Sequence, residues 1–146
     1  MINYDFSGKE ILITGGISGI GLETAKKFSE LGGKVTITYR RNSSYENYKK
    51  LSKDQYDITI QKLDITNELS IEQLYKKIDR LDILVNNASL IKGGVEYRVE
   101  NFSDVVNVNL IGVMRICHMF MPKLALSEGN IINVTSANVK LPLATA

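Results

Sequence analysis

Eight residues near the N-terminus, Thr14-Gly15-Gly16-Ile17-Ser18-Gly19-Ile20-Gly21, place four glycines around one serine and open on a threonine. A turn of this composition suits the binding of a phosphate. Phosphate oxygens carry charge and need backbone N–H groups aimed at them with no Cβ in the way. A glycine turn leading into a helix N-terminus supplies such groups, and the helix dipole adds favourable potential. On this reading Gly15 allows the tight turn, Gly19 the close approach of backbone to ligand, and Gly21 the close packing of helix on strand. The alternative is a glycine-rich strand–helix turn that holds nothing. A phosphate-loop hydrolase is disfavoured, because it needs Gly-Lys-Ser/Thr and here Gly21 leads into Leu22-Glu23.

The turn must be held by elements on either side. Glu10–Thr14 is a short apolar run stopped by Gly15-Gly16 and predicts a buried strand. Ile20, Ala25, Phe28 and Leu31 recur at near-helical spacing until Gly32-Gly33 ends that helix. Val35–Tyr39 predicts a second strand from its β-branched residues. The polar stretch Arg40–Asp57 holds a short helix around Tyr45–Leu51, and Arg41–Asp54 is the best candidate for a mobile surface segment. Ile58–Leu63 is a third strand. Ile71, Leu74, Tyr75 and Ile78 fit an amphipathic helix over Ser70–Arg80. Ile83–Val85 is a fourth strand, Phe102–Leu126 a long apolar helix that Pro122 should kink or end, and Asn130–Thr135 a fifth strand with an unpaired edge. Strict alternation of strand and helix implies right-handed crossovers and a parallel sheet covered on both faces. The expected fold is therefore α/β, a Rossmann-like doubly wound parallel sheet in one domain over residues 1–146.

Composition narrows the function classes. Net charge is +2, from 18 basic and 16 acidic residues, so no strong field exists to steer a nucleic acid or an anionic membrane. One cysteine, Cys117, cannot form an intrachain disulfide or a zinc-binding cysteine pair, and the one histidine, His118, leaves little for a metal site. No apolar run reaches the ~20 residues of a membrane span. Met1-Ile2-Asn3-Tyr4-Asp5 lacks the pattern of a secretory signal. A cytoplasmic domain is the expectation.

The spacing Gly-x-x-x-Gly-x-Gly within Thr14–Gly21, together with Asn86-Asn87-Ala88 after the fourth strand, resembles the short-chain dehydrogenase/reductase family. Asp64 after the third strand, Asn107-Val108-Asn109 in the long helix and Ile131–Ser136 on the last strand match further motifs of that family in order, over almost the whole chain. The resemblance implies dinucleotide contacts from Gly15, Ser18, Gly19, Ile20, Gly21, Asp64, Ile65, Asn87 and Ala88, with Asp64 at the adenine. Asn86 and Asn87 should tie neighbouring strands together, with Asn87 nearest the ribose. In such folds the end of the second strand lies beside the adenosine ribose. An acid there selects a 2′-hydroxyl, and arginine favours a 2′-phosphate. Tyr39-Arg40-Arg41 holds no acid, so Arg40 and Arg41 predict NADP(H) over NAD(H), unless they merely sit on a solvated loop.

Reduction of a carbonyl needs a nearby nicotinamide, a proton donor and donors for the developing oxyanion. The resembled family uses a Tyr to give the proton, a Lys to lower its pKa, a Ser on the carbonyl oxygen and an Asn supporting a relay water. Ser136 and Asn109 match the last two. Otherwise Ser136 is a strand-end hydroxyl and Asn109 satisfies backbone in a kinked helix. All seven tyrosines precede Ser136, so no Tyr-x-x-x-Lys follows it in these 146 residues. Tyr45 and Lys49 have that spacing but fall on the adenosine side, as a solvated helix face. The expectation is an NADP(H)-dependent oxidoreductase of carbonyls or alcohols, incomplete as given and forming the N-terminal part of a longer chain. The alternative is a non-catalytic dinucleotide-binding or regulatory module. Ser89 departs from the family's usual Gly and puts the local turn in doubt. Cys117 and His118 carry no expected catalytic role. The apolar helix Phe102–Leu126 implies a homo-oligomer, and the substrate stays unnamed.

Overall fold

The computed structural model describes residues 4–51, 56–95 and 98–136. The expectations that fall on residues 1–3, on 52–54 of the polar stretch and on 137–146 lie outside them. The strands are β1 (Glu10–Ile13), β2 (Lys34–Tyr39), β3 (Ile58–Lys62), β4 (Ile83–Asn86) and β5 (Asn130–Asn133), and they form one sheet in the order β3-β2-β1-β4-β5. Every adjacent pair is parallel. The helices between them are α1 (Gly19–Glu30), α2 (Asn42–Leu51), α3 (Glu68–Tyr75), α4 (Val99–Val106) and α5 (Val113–Leu126), with a π-helical segment, Asn107–Gly112, joining the last two. This is the doubly wound, Rossmann-like sheet that the alternation predicts.

Side-chain alternation divides the core. Leu12 and Leu84 face one side, where they meet Ile71 and Leu74 of α3 and Ile116, Phe120 and Leu124 of α5. Ile11, Ile13, Val35 and Ile37 face the other, against Ala25 of α1. A sheet buried on both faces has strands that read as continuous apolar runs rather than alternating ones. The strand order reverses between β1 and β4. The crossovers on either side of that point diverge and leave a crevice at the carboxyl ends of the strands.

Several boundaries differ from expectation for local reasons. Helix α3 begins two residues early, because Asn67 caps it by accepting from Ser70 N at 3.1 Å. It stops at Tyr75 rather than running to Arg80. There Lys123 of α5 donates to the carbonyls of Tyr75 and Ile78 and lies 3.9 Å from the centre of the Tyr75 ring. Helix α2 begins at Asn42, so the described part of the polar stretch is largely helical. Pro122 lies inside α5 without ending it. Pro122 and His118 are both exposed, so water can take the carbonyl that a proline leaves without a donor. Ile20 is 67% exposed rather than part of the buried stripe of α1, which holds Gly21 and Ala25. The end of α1 is as expected: Gly32 has φ +86°, and Gly33 N donates to Phe28 O at 2.9 Å.

The continuous helix Val99–Leu126 is long and apolar enough to cross a membrane, contrary to the expectation that no segment is. Its Ile116, Phe120 and Leu124 pack into the sheet, as in the core helix of a globular domain. It is not apolar and buried all round. Val99, Phe102, Leu110, Met114 and Met121 lie exposed away from the sheet. All four residues of β5 are exposed as well.

One buried charge escaped the sequence reading. Asp82, 2% exposed, stands beside the start of β1 at the amino end of the sheet, remote from the crevice. Its carboxylate accepts from Arg80 Nη2 at 2.8 Å, Arg80 Nε at 3.0 Å, Glu10 N at 3.0 Å and Lys9 Nζ at 3.2 Å. Burial alone would raise its pKa. The bonds from Arg80, the Glu10 amide and Lys9 outweigh burial and hold it at about 2.

Candidate functional site

The crevice at the switch point has a volume of about 460 Å³. Its wall includes Gly15, Ser18, Ile20, Arg40, Arg41, Asp64, Ile65, Asn87 and Ala88, nine of the expected contacts gathered from four separate strand ends. Gly19 and Gly21 are not in the wall. Gly19 opens α1 at φ +53°, and a Cβ placed on it would meet nothing within 4 Å. Gly21 is buried behind the turn. A Cβ there would lie 2.5 Å from Asn87 Nδ2, 2.8 Å from Gly15 O and 3.0 Å from Gly16 Cα. The close packing expected of Gly21 is thus against the turn and Asn87 rather than against a strand.

The glycine turn is gripped from both sides. Thr14 Oγ1 accepts from Asn87 N and Ala88 N, each at 3.1 Å. Asn87 Nδ2 donates back to Thr14 O at 3.1 Å and Gly15 O at 2.9 Å. On the other side Gly15 N donates to Thr38 Oγ1 at 3.1 Å and Gly16 N to Thr38 O at 3.0 Å. Thr14 N is held by Val85 O at 3.0 Å. These three amides are therefore committed to the fold. That narrows the phosphate-binding reading to the first turn of α1, where Ser18 makes no side-chain cap and the first backbone bond is Leu22 N to Ser18 O at 3.3 Å. Amides at the start of a helix have no acceptor inside it, and they favour an anion.

At the other end of the crevice Tyr39 stacks on Tyr45, with ring centres 4.7 Å apart. Lys49 lies 4.5 Å from the Tyr45 ring centre and pairs with Glu46. Lys49 and Glu46 are exposed, as a solvated helix face requires, while Tyr45 is half-buried against Tyr39. Arg40, Arg41 and Ser44 line the crevice beside it. Asp64 accepts from Thr66 N at 2.9 Å and Thr66 Oγ1 at 2.6 Å, which makes it the carboxylate of a turn at the crevice wall.

The two expected catalytic residues stand outside the crevice wall. Asn109, in the π-helical segment, accepts from Leu90 N at 2.8 Å and donates to Leu90 O at 2.9 Å, so both ends of its amide are bound to the loop after β4. Leu90 itself lines the crevice. Asn109→Leu is expected to hand both Leu90 groups to water and cost about 1 kcal/mol, read as a shift in the urea midpoint. Ser136 is exposed, three residues past β5, on the same edge of the sheet as the crevice. The pairing of β4 with β5 extends past Asn133, with Val134 N donating to Asn86 O at 2.9 Å. Asn86 Nδ2 donates to Asn133 Oδ1 at 2.9 Å and to Cys117 Sγ at 3.2 Å. Asn86, the last residue of β4, and Asn87 after it thus tie neighbouring strands together, as expected. Cys117 is half-buried against the core, and His118 is exposed. Among the described residues no cluster of His, Cys, Asp or Glu could hold a metal.

The sequence reading gives no role to the hydroxyls of Thr14 and Thr38, which hold the turn. Their signal is a polar side chain at the buried carboxyl end of an apolar strand, where a hydroxyl needs a partner.

Comparison with known proteins agrees with this geometry. The family model described as short chain dehydrogenase matches residues 9–146. The chain is 35% identical over 136 residues to a 3-oxoacyl-[acyl-carrier-protein] reductase of Rickettsia bellii, covering 90% of this chain and 55% of that one. It is 31% identical over 140 residues to an NADP-dependent 3-hydroxy acid dehydrogenase of Schizosaccharomyces pombe, covering 88% and 54%. A variant of the actinorhodin polyketide ketoreductase, solved with NADPH, superposes with a TM-score of 0.82 at 30% identity, covering 94% of this chain and 57% of that one. The chain spans about half the length of the curated relatives it matches.

Proposed function

The chain belongs to the short chain dehydrogenase family, and on that premise we propose that it supplies the dinucleotide-binding part of an NADP(H)-dependent oxidoreductase acting on a carbonyl or the corresponding alcohol. The observation that carries the reading is the crevice, whose wall joins the glycine turn, Arg40 and Arg41, Asp64 and Asn87. The pyrophosphate lies at the first turn of α1, and the adenosine ribose lies by the end of β2. Arg40 and Arg41 take the 2′-phosphate, which a guanidinium recognises through paired N–H donors. Asn87 and Ala88 flank the ribose at the nicotinamide end. The bound dinucleotide supplies or accepts the hydride.

Asn109 acts on this site through Leu90. Its side-chain amide both accepts from and donates to that backbone, so it holds the loop after β4. Ser136 orients the substrate oxygen once the dinucleotide is bound. The proton donor of the family, a Tyr with a Lys one helical turn on, does not follow Ser136 in these 146 residues. The exposed face of α4, the π-helical segment and α5, with Phe102, Leu110 and Met114, pairs with a second subunit.

The test is a titration with NADPH and NADH. NADPH should bind more tightly. Arg40→Ala with Arg41→Ala should weaken NADPH at least about tenfold and leave NADH within about twofold. Equal or tighter binding of NADH by the unsubstituted chain would defeat the cofactor assignment. Reduction of a carbonyl panel, by a chain that also carries the Tyr and Lys, tests the reaction.

A further inference from the structure

We propose that Thr38, at the carboxyl end of β2, is a positioning residue that sets the pyrophosphate cradle from the strand that also carries the ribose-phosphate readers. The proposal rests on the dinucleotide reading of the crevice. Thr38 is 2% exposed and holds two successive amides of the glycine turn, Gly15 N on its hydroxyl at 3.1 Å and Gly16 N on its carbonyl at 3.0 Å. The carbonyl bond is available to any residue. The hydroxyl bond is available only to a side chain with an acceptor one atom beyond Cβ.

The turn has little other freedom. A Cβ on Gly16 would lie 2.6 Å from Ile37 Cβ, and one on Gly15 would lie 2.9 Å from Ala88 Cα, so the turn is pressed onto β2 and onto the residues after β4. With Gly15 and Gly16 drawn toward Thr38, their N–H groups point away from a ligand. The open amides at the start of α1 are left to meet the pyrophosphate. One residue beyond Thr38 begins Tyr39-Arg40-Arg41, so a single strand end fixes both phosphate-binding regions. Thr38 therefore acts on every dinucleotide, whereas Arg40 and Arg41 act only on those with a 2′-phosphate.

Thr38→Val keeps the β-branched shape and removes the hydroxyl. NADPH and NADH should then both bind about tenfold more weakly, the equivalent of one lost hydrogen bond. Gly15 N–H should exchange with solvent faster while the amides of Leu12 and Leu84 keep their protection. Thr38→Ser should restore binding to within about twofold and slow the Gly15 exchange again, which a role limited to filling space would not do. Thr38→Ala gives a second hydroxyl-free variant should the valine protein fold poorly. Unchanged affinity in folded Thr38→Val, an equal loss in Thr38→Ser, or a loss confined to NADPH would each overturn the role given to Thr38. Failure of the unsubstituted chain to bind either dinucleotide would overturn the dinucleotide reading, and this proposal with it.

Discussion

Gly21→Ala is expected to lower dinucleotide affinity about a hundredfold, because the added methyl group has no room behind the turn. Two of the three atoms it would meet, Gly15 O at 2.8 Å and Gly16 Cα at 3.0 Å, are backbone. Neither can retreat, since Gly16 already presses on Ile37 and Gly15 on Ala88. The third, Asn87 Nδ2 at 2.5 Å, is the amide that ties the turn to the end of β4. Overpacking of this kind costs about 1–3 kcal/mol, and ~1.4 kcal/mol is tenfold in affinity. Gly19→Ala is the informative contrast. Gly19 has φ +53° but open space around it, so the fold should lose only the roughly 1–2 kcal/mol of a left-handed residue, while the methyl group stands where a phosphate must approach. Fluorescence titration with NADPH, alongside urea unfolding of each variant, checks both. Binding by Gly21→Ala within about threefold of the unsubstituted chain would show that the turn is not pinned as described.

The largest effect on stability is expected at Asp82. Its folded pKa of about 2 lies below the unfolded value of 3.8. The folded state therefore holds the carboxylate in preference to the acid, and the contribution is fully present above about pH 4. It fades as the pH falls toward 2. At ~1.36 kcal/mol per unit the shift corresponds to about 2–3 kcal/mol at neutral pH. Asp82→Ala should lose about that much and also leave Glu10 N without its acceptor. Arg80 and Lys9 are about half exposed and can rehydrate, so the cost stays below the ~3–5 kcal/mol of a wholly buried broken pair. Urea midpoints measured between pH 2 and 7 should converge for Asp82→Ala and the unsubstituted chain at the acid end. Parallel curves across that range would remove Asp82 as the source.

What could be read from the sequence was local. Short β-branched or apolar runs between glycines give the strands, and the Gly32-Gly33 pair gives a helix end that needs no distant partner. The crevice residues were legible because each sits directly after a strand, and in a parallel sheet all such positions share one edge. What was missed depends on contacts far apart in the chain. Helix α3 ends where Lys123, 48 residues beyond Tyr75, takes its carbonyl. The Asp82 cluster joins residues 72 and 73 apart because β4 lies beside β1. Ile20 fits a buried stripe by spacing, yet α1 begins at the mouth of the crevice and leaves it in the open. The bond between Asn109 and the loop after β4 was likewise out of reach of the sequence. Its side-chain amide meets Leu90, a partner that only the packing of the π-helical segment on the loop after β4 supplies.

The position of the pyrophosphate decides the most. Titration of the ¹⁵N-labelled chain with NADP⁺, followed by amide chemical shifts, tests this directly. The largest changes should fall at Gly19, Ile20 and Gly21, with a second group at Arg40 and Arg41, while Gly15 and Gly16 move less because Thr38 holds them. Saturating dinucleotide that leaves the first turn of α1 unmoved, or shifts a different surface, would contradict it.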